Sequence, residues 1–243
     1  MLATDPIEVK RIAAEHFRTI AGIPPSHPPN LEDMKERWQI EYTPRDDIDD
    51  SIYQDLLAPP TEEEWDNMIK NLPNNKAAGN SRIPYELFKH LSEEASLYLK
   101  LLVTECFNTS EIPSQWKDAF IYPIPKPYDW NCYLNNTRPI CLLDTARKLM
   151  TRIMNKRLGN ILLSHNVLKG KNYAGLPGSN CDTPIAILES IIHDAENNNK
   201  PLFIFLQDIS KAFDSMDVNM LQLAMKRIRI PDRFIIDNEL FTN

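Results

Sequence analysis

One carboxylate closes the most strand-like run in the chain. Leu202 to Leu206, LFIFL, is a block of five apolar residues introduced by the turn-forming cluster Asn197 to Pro201 and followed by Gln207 and Asp208. That composition predicts a short buried strand. An acid directly after it sits at the strand's C-terminal mouth, where ligands and metal ions collect in sheets backed by helices. Five residues beyond the acid comes Phe213, flanked by Lys211 and Asp214. The order suits nucleotide chemistry: an acid for a divalent ion, a bend whose N–H groups meet phosphates, and a flat ring under the sugar. Two plainer uses stand beside it, Asp208 as the cap of the following turn and Phe213 as a core aromatic beneath a sheet.

The segment Asp208 to Asp214, DISKAFD, resembles the first palm motif of the reverse transcriptases of non-LTR retrotransposons. The resemblance implies that Asp208 is catalytic, one of the metal-binding aspartates, with the Ile209 carbonyl as a second metal ligand. It also implies that Lys211 and Ala212 offer amides to the nucleotide phosphates and that Phe213 rejects a ribose 2′-hydroxyl. Further segments are similar to the same family in the same order. Asn74 to Leu91 holds KAAGNSRIP where the family has K-A-P-G-x-(D/S)-G-I-P, with Ala78 in place of Pro and Arg82 in place of Gly. Position 82 then asks for a backbone that Gly adopts most easily. Lys126 ends the segment IPSQWKDAFIYPIPK as a Lys does in the family, and Arg138, Pro139 and Ile140 match the R-P-I of the fingers motif, which implies a nucleic-acid-binding Lys126 and a nucleotide-binding Arg138. Asn172 to Asn180, NYAGLPGSN, is similar to the Q-x-G-F-x-x-G stretch that lies against template and incoming nucleotide, departing from it at Asn172 and Leu176.

The fold implied is α+β and helix-rich, an incomplete right-hand polymerase made of fingers and a partial palm. Residues 1–60 read as an N-terminal helix with an acidic, Pro-rich linker, 61–196 as fingers and 197–243 as partial palm. The implied activity is RNA-templated DNA synthesis with magnesium, on an RNA template, a DNA primer and a deoxynucleoside triphosphate. The family takes its remaining carboxylates from a later palm hairpin carrying paired aspartates, followed by a thumb, and neither follows Ser215 here. The expectation is therefore a chain that is inactive and marginally stable alone, unless a second chain supplies the missing palm. A non-catalytic binder of nucleic acid or of a partner is the alternative.

These side chains need elements to hold them. Ile7, Ile12, Ala13, Phe17 and Ile20 recur at helical spacing after Asp5 and Pro6, and Thr61 with Glu62 to Glu64 opens a second helix near 62–71. A helix is expected from Pro84 to about Asn108, its core side formed by Leu87, Phe88, Leu91, Leu97, Leu101 and Leu102. Pro123 and Pro125, at alternate positions, make the strand before Lys126 an edge strand. Tyr128 to Asn136 reads as a loop. After Asp144 a helix of about 18 residues carries an apolar face from Leu149 to Leu162, while Lys148, Arg152 and Lys156 recur every four residues. Three stacked cations form a ribbon that can follow a phosphate backbone, or simply a wet helix face. Helices follow near 182–196, after Asp217, and from Phe234 to Phe241.

The totals bound the reading. The chain has 243 residues, 42% hydrophobic and 25% charged, with 19 Pro against 6 Gly. Net charge is −7, yet residues 117–171 hold ten basic and three acidic side chains, a basic island in an acidic chain. Asp46, Asp47, Asp49 and Asp50 lack the spacing of a calcium loop and read as a solvated face. Cys106, Cys132, Cys141 and Cys181 show no metal-site spacing and read as buried thiols. No membrane-length apolar run and no signal-peptide core occur, so an intracellular location is expected.

Overall fold

Five of the helices begin where a side-chain oxygen accepts the unpaired N–H groups of a first turn. The computed structural model describes residues 3–21, 31–127, 130–168, 173–178, 180–209, 212 and 216–236. Asp5 accepts from the Glu8 N–H at 3.0 Å at the start of α1 (Pro6–Ala21). After α2 (Glu36–Tyr42), Thr61 accepts from the Glu64 N–H at 3.1 Å and opens α3 (Glu62–Lys70), as the sequence predicts.

The long helix expected from Pro84 is two helices. α4 (Tyr85–Lys89) stops at His90, and Ser92 starts α5 (Glu93–Thr109) by accepting from the Ala95 N–H at 3.2 Å. The restart resets the helical phase, so the core side of α5 is Val103, Cys106 and Phe107, while Leu87, Leu97, Leu101 and Leu102 are exposed. Of the apolar face read from the sequence in this region, only Phe88 is buried, and Leu91 is partly so.

α6 (Ser114–Lys117) leads into β1 (Ala119–Pro125), which pairs antiparallel with β2 (Thr137–Leu143). Pro123 stands opposite Pro139, so two residues that cannot donate to a ladder share one rung, and the third, Pro125, stands opposite Thr137. Leu134–Asn136, inside the expected loop, forms a 3-10 turn. Asp144 then caps α7 (Thr145–Ser164), accepting from the Ala146 N–H at 2.9 Å. α8 (Asp182–Asn197) buries none of its described side chains. Asp217 accepts from the N–H groups of Asn219 and Met220 to start α9 (Val218–Arg227), and α10 (Asp232–Ile236) follows Pro231.

Leu149, Met150, Ile153 and Met154 of α7 share one core with Trp65 and Met68 of α3, Phe107 of α5 and Phe234 of α10. Ile48, Tyr53 and Leu56, on the N-terminal side of position 60, belong to the same core. Tyr53 donates its hydroxyl to the Ile228 carbonyl at 2.8 Å. The acidic run beside it is engaged by arginines: Arg229 meets Asp46 at 2.9 Å and Asp50 at 3.5 Å, Arg45 meets Asp47 at 2.9 Å, and Asp49 caps the turn Asp50–Tyr53.

Two further expectations are corrected. Only Cys106 is a buried thiol. Cys132, in the hairpin loop, Cys141, on β2, and Cys181, at the start of α8, are exposed. Leu202 to Leu206 does not form a buried strand either. It has no strand neighbour among the described residues, and Phe203, Phe205 and Leu206 are 93%, 86% and 82% exposed. A strand holds its shape through hydrogen bonds to a second strand, and an apolar run without one has nothing to bury against. The architecture is thus helix-rich with one small sheet. No described helix is long and apolar enough to cross a membrane.

Candidate functional site

The candidate residues fall into three environments, and the first is the N-terminal half of α7, inside the basic island. Gly79 packs so closely on the β2–α7 junction that an added Cβ would lie 2.2 Å from the Leu143 carbonyl oxygen. Around that contact Asp144, a buried residue, uses one oxygen to cap α7 and the other to accept from the Ser81 N–H at 3.3 Å. Thr145 donates to the Ile83 carbonyl at 2.6 Å and Lys148 to the Ala77 carbonyl at 3.1 Å, while Arg152 reaches the Asn71 carbonyl at 3.4 Å. Arg82 stands in this loop at φ +58°, the conformation in which Gly is the easier residue. The loop from Asn71 to Ile83 and the start of α7 are one cross-linked unit.

Two arginines on the other faces of α7 serve the fold. Arg147 is 2% exposed and donates to the Trp116 carbonyl at 3.1 Å, and burial pulls its guanidinium below the usual arginine value. Arg157 clasps Glu64 with two nitrogens, donates to the Ala58 carbonyl at 2.6 Å and lies over the Phe107 ring. The four-residue spacing of the ribbon already leaves both out, but it does not say what they bind. Phase is the usable signal, since 147 and 157 fall off the line through 148, 152 and 156. Gly79 carried a signal as well, as one of only 6 glycines, with Ala77 and Ala78 directly before it.

The three ribbon cations therefore differ. Lys148 is half-buried over the Tyr85 ring, and burial lowers its pKa more than the Asp144 carboxylate raises it. Arg152 is exposed and keeps most of its donors. Lys156 is exposed.

The second environment is the free end of the β1–β2 hairpin. The Lys126 N–H donates to the Asn136 carbonyl at 2.8 Å and its ammonium to the Asn135 carbonyl at 3.2 Å. Arg138 pairs with Ile124, so strand alternation puts Arg138 and Lys126 on one side of the sheet, next to the exposed side chains of Tyr122, Ile124 and Ile140.

The third environment holds Asp208 and Ile209, both exposed on the unpaired segment. Ala212 is exposed, and Lys211, Phe213 and Asp214 lie outside the described residues, as does Asn172. Among the described residues no group of three or more His, Cys, Asp or Glu side chains could hold a metal ion. Two metals roughly 4 Å apart need more than the one carboxylate of Asp208. The described residues do not fit a two-metal centre, and no chemical step follows from them.

Comparison with known proteins gives no match to a family model. The Xenopus laevis protein called Transposon TX1 uncharacterized 149 kDa protein is 22% identical over 231 residues, 95% of this chain and 17% of its own length. From Drosophila melanogaster, the probable RNA-directed DNA polymerase from transposon BS is 28% identical over 158 residues, 65% of this chain and 17% of the relative. The probable RNA-directed DNA polymerase from transposon X-element is 28% identical over 194 residues, 78% of this chain and 21% of the relative. The chain spans about a fifth of the length of these relatives.

Proposed function

Since the chain is homologous to the RNA-directed DNA polymerases of non-LTR retrotransposons, we propose that it is the template- and nucleotide-holding part of such an enzyme. On this reading the hairpin end, with Lys126 and Arg138, faces the triphosphate of an incoming nucleotide, and α7 presents Arg152 and Lys156 to the phosphates of RNA. Asp208 and the Ile209 carbonyl contribute one part of a magnesium site, beside Lys211, Ala212 and Phe213. Chemistry then requires carboxylates that none of the described residues supplies. The observation that carries the reading is the β1–β2 register, which brings two cations 12 residues apart in sequence to one side of one hairpin end.

The basic island supports a phosphate partner even though the whole chain is acidic, because charges farther away than about 10 Å are screened at ordinary salt. The exposure of Asp208 favours the second reading, binding without chemistry. One assay separates the two. The 243-residue protein is expected to bind single-stranded RNA with an affinity that falls steeply as salt rises, and to add no deoxynucleotide to a primer in magnesium. Incorporation that disappears in Asp208→Ala establishes catalysis by the chain itself. Absence of salt-sensitive RNA binding removes the nucleic-acid reading.

A further inference from the structure

We propose that the groove bounded by α4, α7, α9 and α10 holds one unpaired nucleotide of single-stranded RNA, its phosphate on the α7 rim and its base on the apolar floor. The inference rests on the nucleic-acid reading above and adds to it a base-binding site. The cavity is about 520 Å³, within the usual range for a small-ligand pocket. Its walls divide by chemistry. Lys148, Arg152 and Asn155 of α7 form the polar rim with Tyr85 of α4, while Met154 and Leu158 of α7, Met225 of α9 and Phe234 of α10 form the floor.

The rim has capacity to spare. Lys148 uses one of three donors on the Ala77 carbonyl, and Arg152 one of five on the Asn71 carbonyl at a long 3.4 Å. Burial already disfavours the Lys148 charge, and the groove lining carries no carboxylate, so a phosphate supplies the counter-charge there. Tyr85 is almost entirely buried, and its hydroxyl makes no hydrogen bond among the described residues. The Asn155 amide both donates and accepts, the combination that a base edge presents in return. Sulfur and aromatic surface beneath it suits a flat ring.

The helix also sets a direction. Arg152 and Lys156 are about 6 Å apart along the axis, one helical turn, comparable with the reach of one nucleotide of an extended strand. A strand seated in the groove therefore meets Lys156 with its next phosphate. A docked helical peptide would need apolar anchors continuing along the exposed face at helical spacing, and α7 offers cations there.

Fluorescence anisotropy of the 243-residue protein with a labelled 12-nucleotide RNA, and with an abasic strand of equal length, tests the site. The RNA is expected to bind about 10-fold more tightly than the abasic strand. Asn155→Trp, which fills the groove from an exposed position, is expected to erase that difference while leaving the thermal melt unchanged. Asn155→Glu is expected to weaken both strands. Lys156→Ala is expected to lower both affinities alike and preserve their ratio. Equal affinity for the two strands in the wild-type protein overturns the base site and leaves the phosphate ribbon standing. An unchanged ratio in Asn155→Trp overturns the location. No salt-dependent binding of either strand overturns the ribbon and the groove together.

Discussion

α7 and the segment Leu202 to Ile209 both carry residues that the proposed chemistry uses, and they are held in opposite ways. α7 places Leu149, Met150, Ile153 and Met154 in the core and ties its outer groups to the carbonyls of Ala58, Ala77 and Ile83 and to the Glu64 carboxylate. The Leu202 to Ile209 segment is as apolar as any in the chain, yet it is exposed and makes no ladder among the described residues. The difference lies in where each element finds its hydrogen bonds. A helix satisfies its backbone within one stretch of sequence, whereas a strand needs a second stretch to satisfy its own. Apolar content alone did not make Leu202 to Leu206 a buried element.

The largest effect that can break this contrast is at Gly79. Gly79→Ala pushes a methyl group into the Leu143 carbonyl and is expected to cost about 3 kcal/mol in urea unfolding. A wild-type midpoint would mean that the loop and α7 are not locked together. Arg157→Leu leaves Glu64, a mostly buried partner, without its guanidinium, and a loss of about 3 kcal/mol is expected. Arg157→Lys should recover little of it, since an ammonium cannot clasp a carboxylate with two nitrogens.

Asp144→Ala removes the cap of α7 and the acceptor for Ser81 together, about 2 kcal/mol. Asp144→Asn, which keeps one acceptor, should recover part of that.

A pH titration sharpens the same point through Cys106. Burial raises its thiol from 9.0 to about 11. A group whose folded pKa is raised contributes stability that is complete below its unfolded value and is lost as pH rises through the folded one. Denaturant midpoints are therefore expected to hold up to about pH 9 and to fall between 9 and 11, and Cys106→Val should flatten that fall. Tyr53, raised by burial from 10.0 to about 12, extends the decline. The smallest effect belongs to the exposed segment: Phe205→Ser is expected within about 0.5 kcal/mol of wild type.

Much of the helical frame was legible because its signals are local. Thr61, Asp144 and Asp217 each cap the helix that their positions announce. The apolar face of α7 followed directly from spacing. What failed depended on neighbours that a one-dimensional pattern does not contain. α5 changed its buried face because Ser92 restarts the helix, and three of the four cysteines are exposed. In the candidate site the residue types were readable and the partners were not. Lys148 and Arg152 read as free cations, and the fold has turned both partly to carbonyls 71 residues or more away in sequence. Arg138 and Lys126 were singled out one at a time, and only the strand register joins them.

The contrast between the two regions is most directly tested by native-state hydrogen exchange on the 243-residue protein. The amides of Leu149 to Met154 are expected to exchange only through global unfolding, and those of Leu202 to Leu206 at close to unprotected rates. Protection of Leu202 to Leu206 matching that of α7 would contradict the account, because it would require a ladder partner for the Asp208 segment that the described fold does not contain.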